Sequence, residues 1–138
     1  MRTAIDTNVI SALWSKETIA SQMSPLLAKL QTEGGLVISA PVFAELVAHP
    51  KSTIKFVDTF LSTTNITVDF STDEDVWRAA ASAFSDYVQR RRKSGNGSQK
   101  RLLVDFVIGA HATLRADRLL TLDKSRYQRS FPRLKILP

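Results

Sequence analysis

The chain has 138 residues, enough for one domain that buries roughly two-thirds of the surface its unfolded form exposes. Its 43% hydrophobic and 23% charged content is that of an ordinary globular protein, and the absence of cysteine excludes a disulfide framework, cysteine-ligated zinc and thiol catalysis. A net charge of +6 with a pI near 10.0 favours polyanionic partners, nucleic acid first, because neutralised phosphates release their counterions.

Ala4-Ile5-Asp6-Thr7-Asn8 opens the chain as a buried parallel strand does, with an apolar lead-in that ends in an acid. Asp6 stands at the carboxyl end of that strand, where open α/β sheets place their ligands. A strand this early leaves no room for a signal peptide, and no apolar run approaches membrane-spanning length, so a cytoplasmic protein without a membrane partner is expected. Val9, Ile10, Leu13 and Trp14 have the spacing of a first helix. From Thr18 to Thr32 the apolar residues Ile19, Met23, Leu26, Leu27 and Leu30 mark a second, amphipathic helix, ended by Gly34-Gly35. This stripe is either core or a face for a partner or second copy. Leu36 to Ile38 reads as a strand. Ser39 is a possible N-cap and Pro41 lies in the first turn of a helix carrying Glu45, with Val42, Phe43, Leu46 and Val47 inward.

After the break at His49-Pro50, the spacing predicts a helix over 52–61 with Ile54, Val57, Phe60 and Leu61 inward, then a strand at Ile66 to Val68. Ser71 to Asp75 caps a long helix that ends in Arg90-Arg91-Arg92-Lys93, followed by the loop Ser94 to Ser98. The basic run, with Lys100 and Arg101 beyond the loop, reads either as a helix C-terminus complemented by positive charge or as a track for phosphates. Leu102 to Arg115 is a helix with Asp105 in its first turn. Leu119 to Leu122 is a strand with Asp123 at its end, and a turn of helix at 124–130 leads to a last strand at Leu134 to Leu137. Alternating strands and helices predict an α/β fold: three layers, α/β/α, around a mostly parallel sheet of four to five short strands. Right-handed crossovers would bring the strand carboxyl ends to one edge.

On that edge four acids can meet. Asp6 and Asp123 end strands, Glu45 lies in the helix after the second strand, and Asp105 starts the helix that feeds the Asp123 strand. Asp105 is set among Leu102, Leu103, Val104, Phe106 and Val107, where a carboxylate needs a partner; a helix-dipole role or a buried arginine pair is the alternative. Crowded carboxylates repel unless a cation compensates, and oxygen donors suit Mg²⁺ or Mn²⁺. Zinc is disfavoured, since His111 lies about 240° round the helix from Asp105 and His49 adjoins Pro50. Glu17, Glu33, Asp58, Asp69, Asp73, Glu74, Asp75, Asp86 and Asp117 read as surface or capping residues.

Ala4-Ile5-Asp6-Thr7-Asn8-Val9-Ile10, Pro41-Val42-Phe43-Ala44-Glu45-Leu46, Asp105-Phe106-Val107-Ile108-Gly109-Ala110-His111-Ala112 and Leu119-Leu120-Thr121-Leu122-Asp123, in this order, resemble the PIN-domain ribonucleases, VapC-type toxins of toxin–antitoxin pairs in particular. The resemblance runs nearly the whole chain and implies one PIN domain over 1–138. It implies Mg²⁺- or Mn²⁺-dependent cleavage of RNA, tRNA and other structured RNAs among the candidates, with the family's acids at Asp6, Glu45, Asp105 and Asp123. Asp6 and Asp105 would hold the ion directly, and Glu45 and Asp123 a second ion or its waters. A supporting hydroxyl is implied at Thr7 or Thr121, and Arg90, Arg91, Arg92, Lys93, Lys100 and Arg101 would face the RNA. A VapB-like antitoxin and a homodimer are the implied protein partners. A phospho-acceptor domain or a haloacid-dehalogenase-type phosphatase would need a further acid just after Asp6, where Thr7 and Asn8 stand. A non-catalytic relative that only binds nucleic acid or antitoxin is the stronger rival, and metal-dependent cleavage separates the two.

Overall fold

The short apolar runs become the strands β1 (Thr3–Ile5), β2 (Leu36–Ser39), β3 (Ile66–Asp69), β4 (Arg118–Leu120) and β5 (Lys135–Leu137) in a computed structural model that describes residues 1–95 and 101–138. Lys100 and the 96–98 part of the Gly/Ser loop lie outside the described residues. Between the strands run α1 (Thr7–Trp14), α2 (Ala20–Thr32), α3 (Ala40–Val47), α4 (Ile54–Thr64), α5 (Glu74–Lys93), α6 (Leu103–Arg115) and α7 (Ser125–Gln128). All strand pairings are parallel, in the order β3-β2-β1-β4-β5. Among the described residues no helix is long and apolar enough to cross a membrane.

This order locates the site. From β1 the chain steps outward to β2 and β3, then returns across the sheet to β4, on the other side of β1. The strand order therefore reverses between β1 and β4, and in open parallel sheets the crevice outside the carboxyl ends at such a reversal is the binding place. Right-handed crossovers running in opposite directions put α1–α4 on one face of the sheet and α5 and α6 on the other. The central strands are buried on both faces, with Ile5, Val37, Ile38, Leu119 and Leu120 almost fully enclosed, as their unbroken apolar runs require.

Helix α6 is buried from Phe106 to Ala112. Its Gly109 has no side chain because Phe131 lies there: a Cβ would come within 2.3 Å of the ring. Phe131 is itself buried and also meets Phe106 at 6.4 Å between ring centres, so the ring has little room to retreat. Gly109→Ala is expected to lower stability by about 1–3 kcal/mol through overpacking, outweighing the gain in helix propensity of about 1 kcal/mol or less. A urea-unfolding midpoint measures this, and Phe131→Leu in the same chain should recover part of the loss. A midpoint unchanged by Gly109→Ala would show that the tail after α7 is not seated on α6.

The structure departs from the sequence-based expectations in several places. Ile54 is 60% exposed, because α4 begins there, capped by Thr53 through the Phe56 N–H at 3.0 Å, and only Val57 and Leu61 are buried. Met23, Leu27 and Leu30 of the α2 stripe belong to the core, with Ile19 and Leu26 packed partly against it. Ser39 and Asp73 occupy N-cap positions without side-chain cap bonds; Asp73 and Asp75 bind Arg115 of α6 instead. Asp69 is not simply a surface acid: its Oδ2 lies 3.0 Å from the Nε2 of buried His111. Burial holds His111 below its ordinary 6.5 although Asp69 pulls upward, so the neutral ring donates its N–H. Strand β4 stops at Leu120. Thr121 makes the last ladder bond, to the Leu137 carbonyl at 3.0 Å, and turns its side chain inward, so Asp123 lies in the turn before α7 rather than at a strand end.

Candidate active site

Asp6 is the centre. It is 1% exposed, caps α1 through a 2.8 Å bond from the Thr7 N–H to Oδ1, and is tied to β4 by its own N–H, which donates to the Leu120 carbonyl at 2.9 Å. The partial positive charge of the α1 N-terminus favours a carboxylate here. Its other oxygen, Oδ2, accepts two hydroxyls at 2.8 Å, from Thr121 just beyond β4 and from Tyr127 of α7. The Thr121 hydroxyl in turn accepts the Asp123 N–H at 3.1 Å and Asn8 Nδ2 at 3.3 Å, which uses its full capacity. Asn8 also accepts the Leu122 N–H at 3.1 Å, closing the turn after β4 onto α1.

The other three acids arrive from separate elements. Glu45, on α3, accepts the Thr7 hydroxyl at 2.5 Å and so stands next to Asp6. Asp105 lies in the first turn of α6, its Oδ2 accepting the Leu102 N–H at 3.1 Å. Asp123 accepts Ser125 Oγ at 2.7 Å. Into their midst reaches a residue that the sequence does not single out, Arg126 of α7. Its guanidinium lies 4.0 Å from Asp6, 3.7 Å from Asp105 and 3.4 Å from Asp123, while its Nε is buried without a hydrogen-bond partner. Charge, more than hydrogen bonding, holds it there.

The electrostatics follow from this crowding. Burial pushes Asp6 above the ordinary 3.8, against the Tyr127 and Thr121 hydrogen bonds and the Arg126 charge. Glu45 is pushed up by burial, with the Thr7 hydroxyl opposing and the charges of Asp6 and Asp105 adding. Asp123, nearer solvent, is pulled down by the Ser125 hydrogen bond and by Arg126 and Arg101. Burial and the Asp6 charge push the Tyr127 phenol upward, so it stays a donor. Asp6 and Glu45 are pushed up, and Asp6, Asp105 and Asp123 face one shared guanidinium: negative charge is crowded in the cleft.

All four predicted acids therefore converge, and both candidate threonines touch them. Of the predicted basic residues, Arg90, Arg91, Lys93 and Arg101 line a pocket beside the acids, and Arg101 lies 3.7 Å from Asp123. Arg92 is apart from them, on another face of α5 with Trp77 and Phe84. Tyr127 is a second site residue without a sequence signature, since an aromatic residue in a polar turn gives no local sign of a buried hydroxyl. The one available signal for Arg126 is its place three residues after Asp123, a spacing at which helical side chains meet.

Comparison with known proteins identifies the family and the fold. Residues 3–132 match the family described as PIN domain. No curated protein matches the chain. Among solved structures it is similar to VapBC2 from Rickettsia felis, in a complex with a promoter DNA fragment, at 20% identity and a TM-score of 0.74, covering 99% of this chain and 98% of that one. It is also similar to VapBC-1 from nontypeable Haemophilus influenzae (23%, TM-score 0.64, 99% and 97% covered) and to FitAcB from Neisseria gonorrhoeae (20%, TM-score 0.65, 99% and 96% covered). With a five-stranded parallel sheet, acids gathered where its strand order reverses, and a family match spanning nearly its whole length, the chain belongs to the PIN domain family.

Proposed function

We propose that this protein is a divalent-metal-dependent endoribonuclease and the toxin of a toxin–antitoxin pair. The observation that carries the reading is the convergence of Asp6, Glu45, Asp105 and Asp123 on one crevice, three of them around a single cation. Among the described residues no group of three acid or histidine side chains stands arranged to hold a metal by itself. The donor set nevertheless fits a hard ion that keeps several waters and takes only one or two carboxylates, as Mg²⁺ does and Mn²⁺ can. Arg126 stands in for such a cation, and the upward shifts of Asp6 and Glu45 mark where positive charge is wanted.

In this reading Asp6 and Asp105 hold the ion, and Glu45 and Asp123 orient its waters or a second ion. When bound, the ion supplies an activated water and charge for the phosphodiester oxygens. The chain's own groups do the rest. Thr7 fixes Glu45 through its hydroxyl, and its N–H holds Oδ1 of Asp6 while Thr121 and Tyr127 hold Oδ2, so that the carboxylate is fixed in orientation. Arg126 balances the phosphate's charge once it is released from the acids. Arg90, Arg91, Lys93 and Arg101 give the strand its approach. The likeness to VapBC structures supports a VapB-like antitoxin as the partner. Of the α2 stripe, Met23, Leu27 and Leu30 are core. Exposed apolar side chains open to a partner include Ile54 and Phe56, where Trp14 packs edge-on against Phe56 and Phe60, and Trp77 and Leu103 on the other face of the sheet.

The test is RNA incubated with the protein alone, with Mg²⁺ or Mn²⁺, and with excess chelator. Cleavage in metal, lost in chelator and restored by adding metal back, is expected. Cleavage unaffected by chelator would reject the role of the metal, and no cleavage under any condition would reject the enzyme and leave a binding relative.

A further inference from the structure

A pocket of about 500 Å³ adjoins the acids and plays no part in holding an ion. Among the described residues, six cationic side chains line it and no acidic one: Arg90, Arg91 and Lys93 from the end of α5, Arg101 before α6, and Arg126 and Arg129 at α7. The α5 residues alone could be explained as charge complementing a helix C-terminus. Arg101 and Arg129 cannot, since they arrive from other segments and close the same bowl. Arg101 is held in place by its backbone, its N–H donating to the hydroxyl of Tyr87, a largely buried residue of α5. Arg101 and Arg126 are opposed by Asp123, but among the described residues Arg90, Lys93 and Arg129 meet no acid in the pocket. Gathering like charges in a concave site is unfavourable unless an anion occupies it, on which the walls focus the field.

The pocket shares a wall with the acids. Arg101 lies 3.7 Å and Arg126 3.4 Å from Asp123, and both also face the pocket, so an anion there sits one guanidinium away from the carboxylates. Guanidinium forks match phosphate oxygens in pairs. At about 30 Å³ per water, the volume takes a phosphate together with its sugar and hydration. An acidic cleft by itself repels the phosphodiester it must cut; a phosphate anchored next door would offset that repulsion.

We propose that this pocket is a phosphate subsite, which holds a phosphate of the RNA strand neighbouring the scissile one, with Arg126 shared between it and the acids. This assignment rests on the ribonuclease reading for the identity of the ligand, but it is a claim about binding and is tested without cleavage. The probe is a short single-stranded RNA, with and without a 5′-phosphate, titrated in excess chelator at several salt concentrations by fluorescence anisotropy. The variant is Arg90→Ala/Arg129→Ala, with circular dichroism and melting temperature as checks of folding; Arg129→Ala alone serves if the pair does not fold. The double variant should bind about tenfold more weakly. Its slope of log affinity against log salt should shrink by about 0.7, the share of the one phosphate that the pocket holds. Tighter wild-type binding of the phosphorylated RNA assigns the pocket to a strand end, and equal binding assigns it to a backbone phosphate; both uphold the subsite. Unchanged affinity and salt slope in the folded variant overturn it. Binding that behaves as expected in a protein that never cleaves RNA would instead count against the enzyme alone.

Discussion

Asp6→Asn is expected to cut RNA cleavage by about a hundredfold or more while leaving the protein folded. On the proposed reading Asp6 holds the ion, and losing that carboxylate would forfeit several kcal/mol of transition-state stabilisation, each 1.4 kcal/mol or so being a factor of ten. The fold is subject to two opposed effects. Oδ2 receives hydroxyls from Thr121 and Tyr127, so the Asn oxygen must sit there; its amide then faces the Thr7 N–H, and the α1 cap is lost at about 1 kcal/mol. Against this, the Asp6 pKa is raised in the folded state. Such a group contributes fully below its unfolded value of 3.8, and stability is lost as pH rises through the folded value, so at neutral pH the ionised Asp6 is a cost that Asn removes. Melting curves with and without Mn²⁺ separate the roles. The wild type should melt higher with the ion and the variant should not. A variant that still cleaves at the wild-type rate would remove Asp6 from the chemistry.

Tyr127→Phe is the second large effect, and it acts through Asp6 rather than on the substrate. Tyr127 is fully buried and its hydroxyl reaches Oδ2 at 2.8 Å, so Phe keeps the ring and deletes one donor to a buried carboxylate. A hydrogen bond to a charged group contributes about 1.5–3 kcal/mol. That loss should show at neutral pH and fade below the unfolded carboxyl value, where Asp6 is protonated in both states. Removing the donor raises the Asp6 pKa further, so the acid limb of the pH–rate profile should move to higher pH. Activity should fall about 10–100-fold, the usual range for a group that orients an ion's ligand. A packing defect alone would lower stability equally at all pH values and leave the acid limb where it was; that result would deny Tyr127 its positioning role.

Much of this site is legible along the chain. Asp6 and Asp105 stand out because each interrupts an apolar run, where a carboxylate without a purpose is costly. Glu45 follows a buried strand closely enough to lie over the same edge. Asp123 does reach the crevice, but from a turn and not from a strand end. The apolar run 119–122 looks like a strand throughout, yet Thr121 turns inward to Asp6 while Leu122, 37% exposed, turns out. Arg126 is marked in sequence only by its spacing from Asp123, because a cation in a short polar turn looks solvated. Asp69 and His111, 42 positions apart, carry no local mark of their pairing.

Most strands and helices, the four acids near their ends and the positive charge that favours a polyanion can be read along the chain. These are local properties, set by periodicity, capping chemistry and the cost of a stranded charge. That β4 lies beside β1, bringing Thr121 to Asp6 from 115 positions away and Arg126 and Tyr127 of α7 among the acids, is a property of the folded chain alone. The reason is that strand order is chosen by long-range packing of faces that look alike in sequence. Each short apolar strand states that it is buried, and none states which strand it lies against.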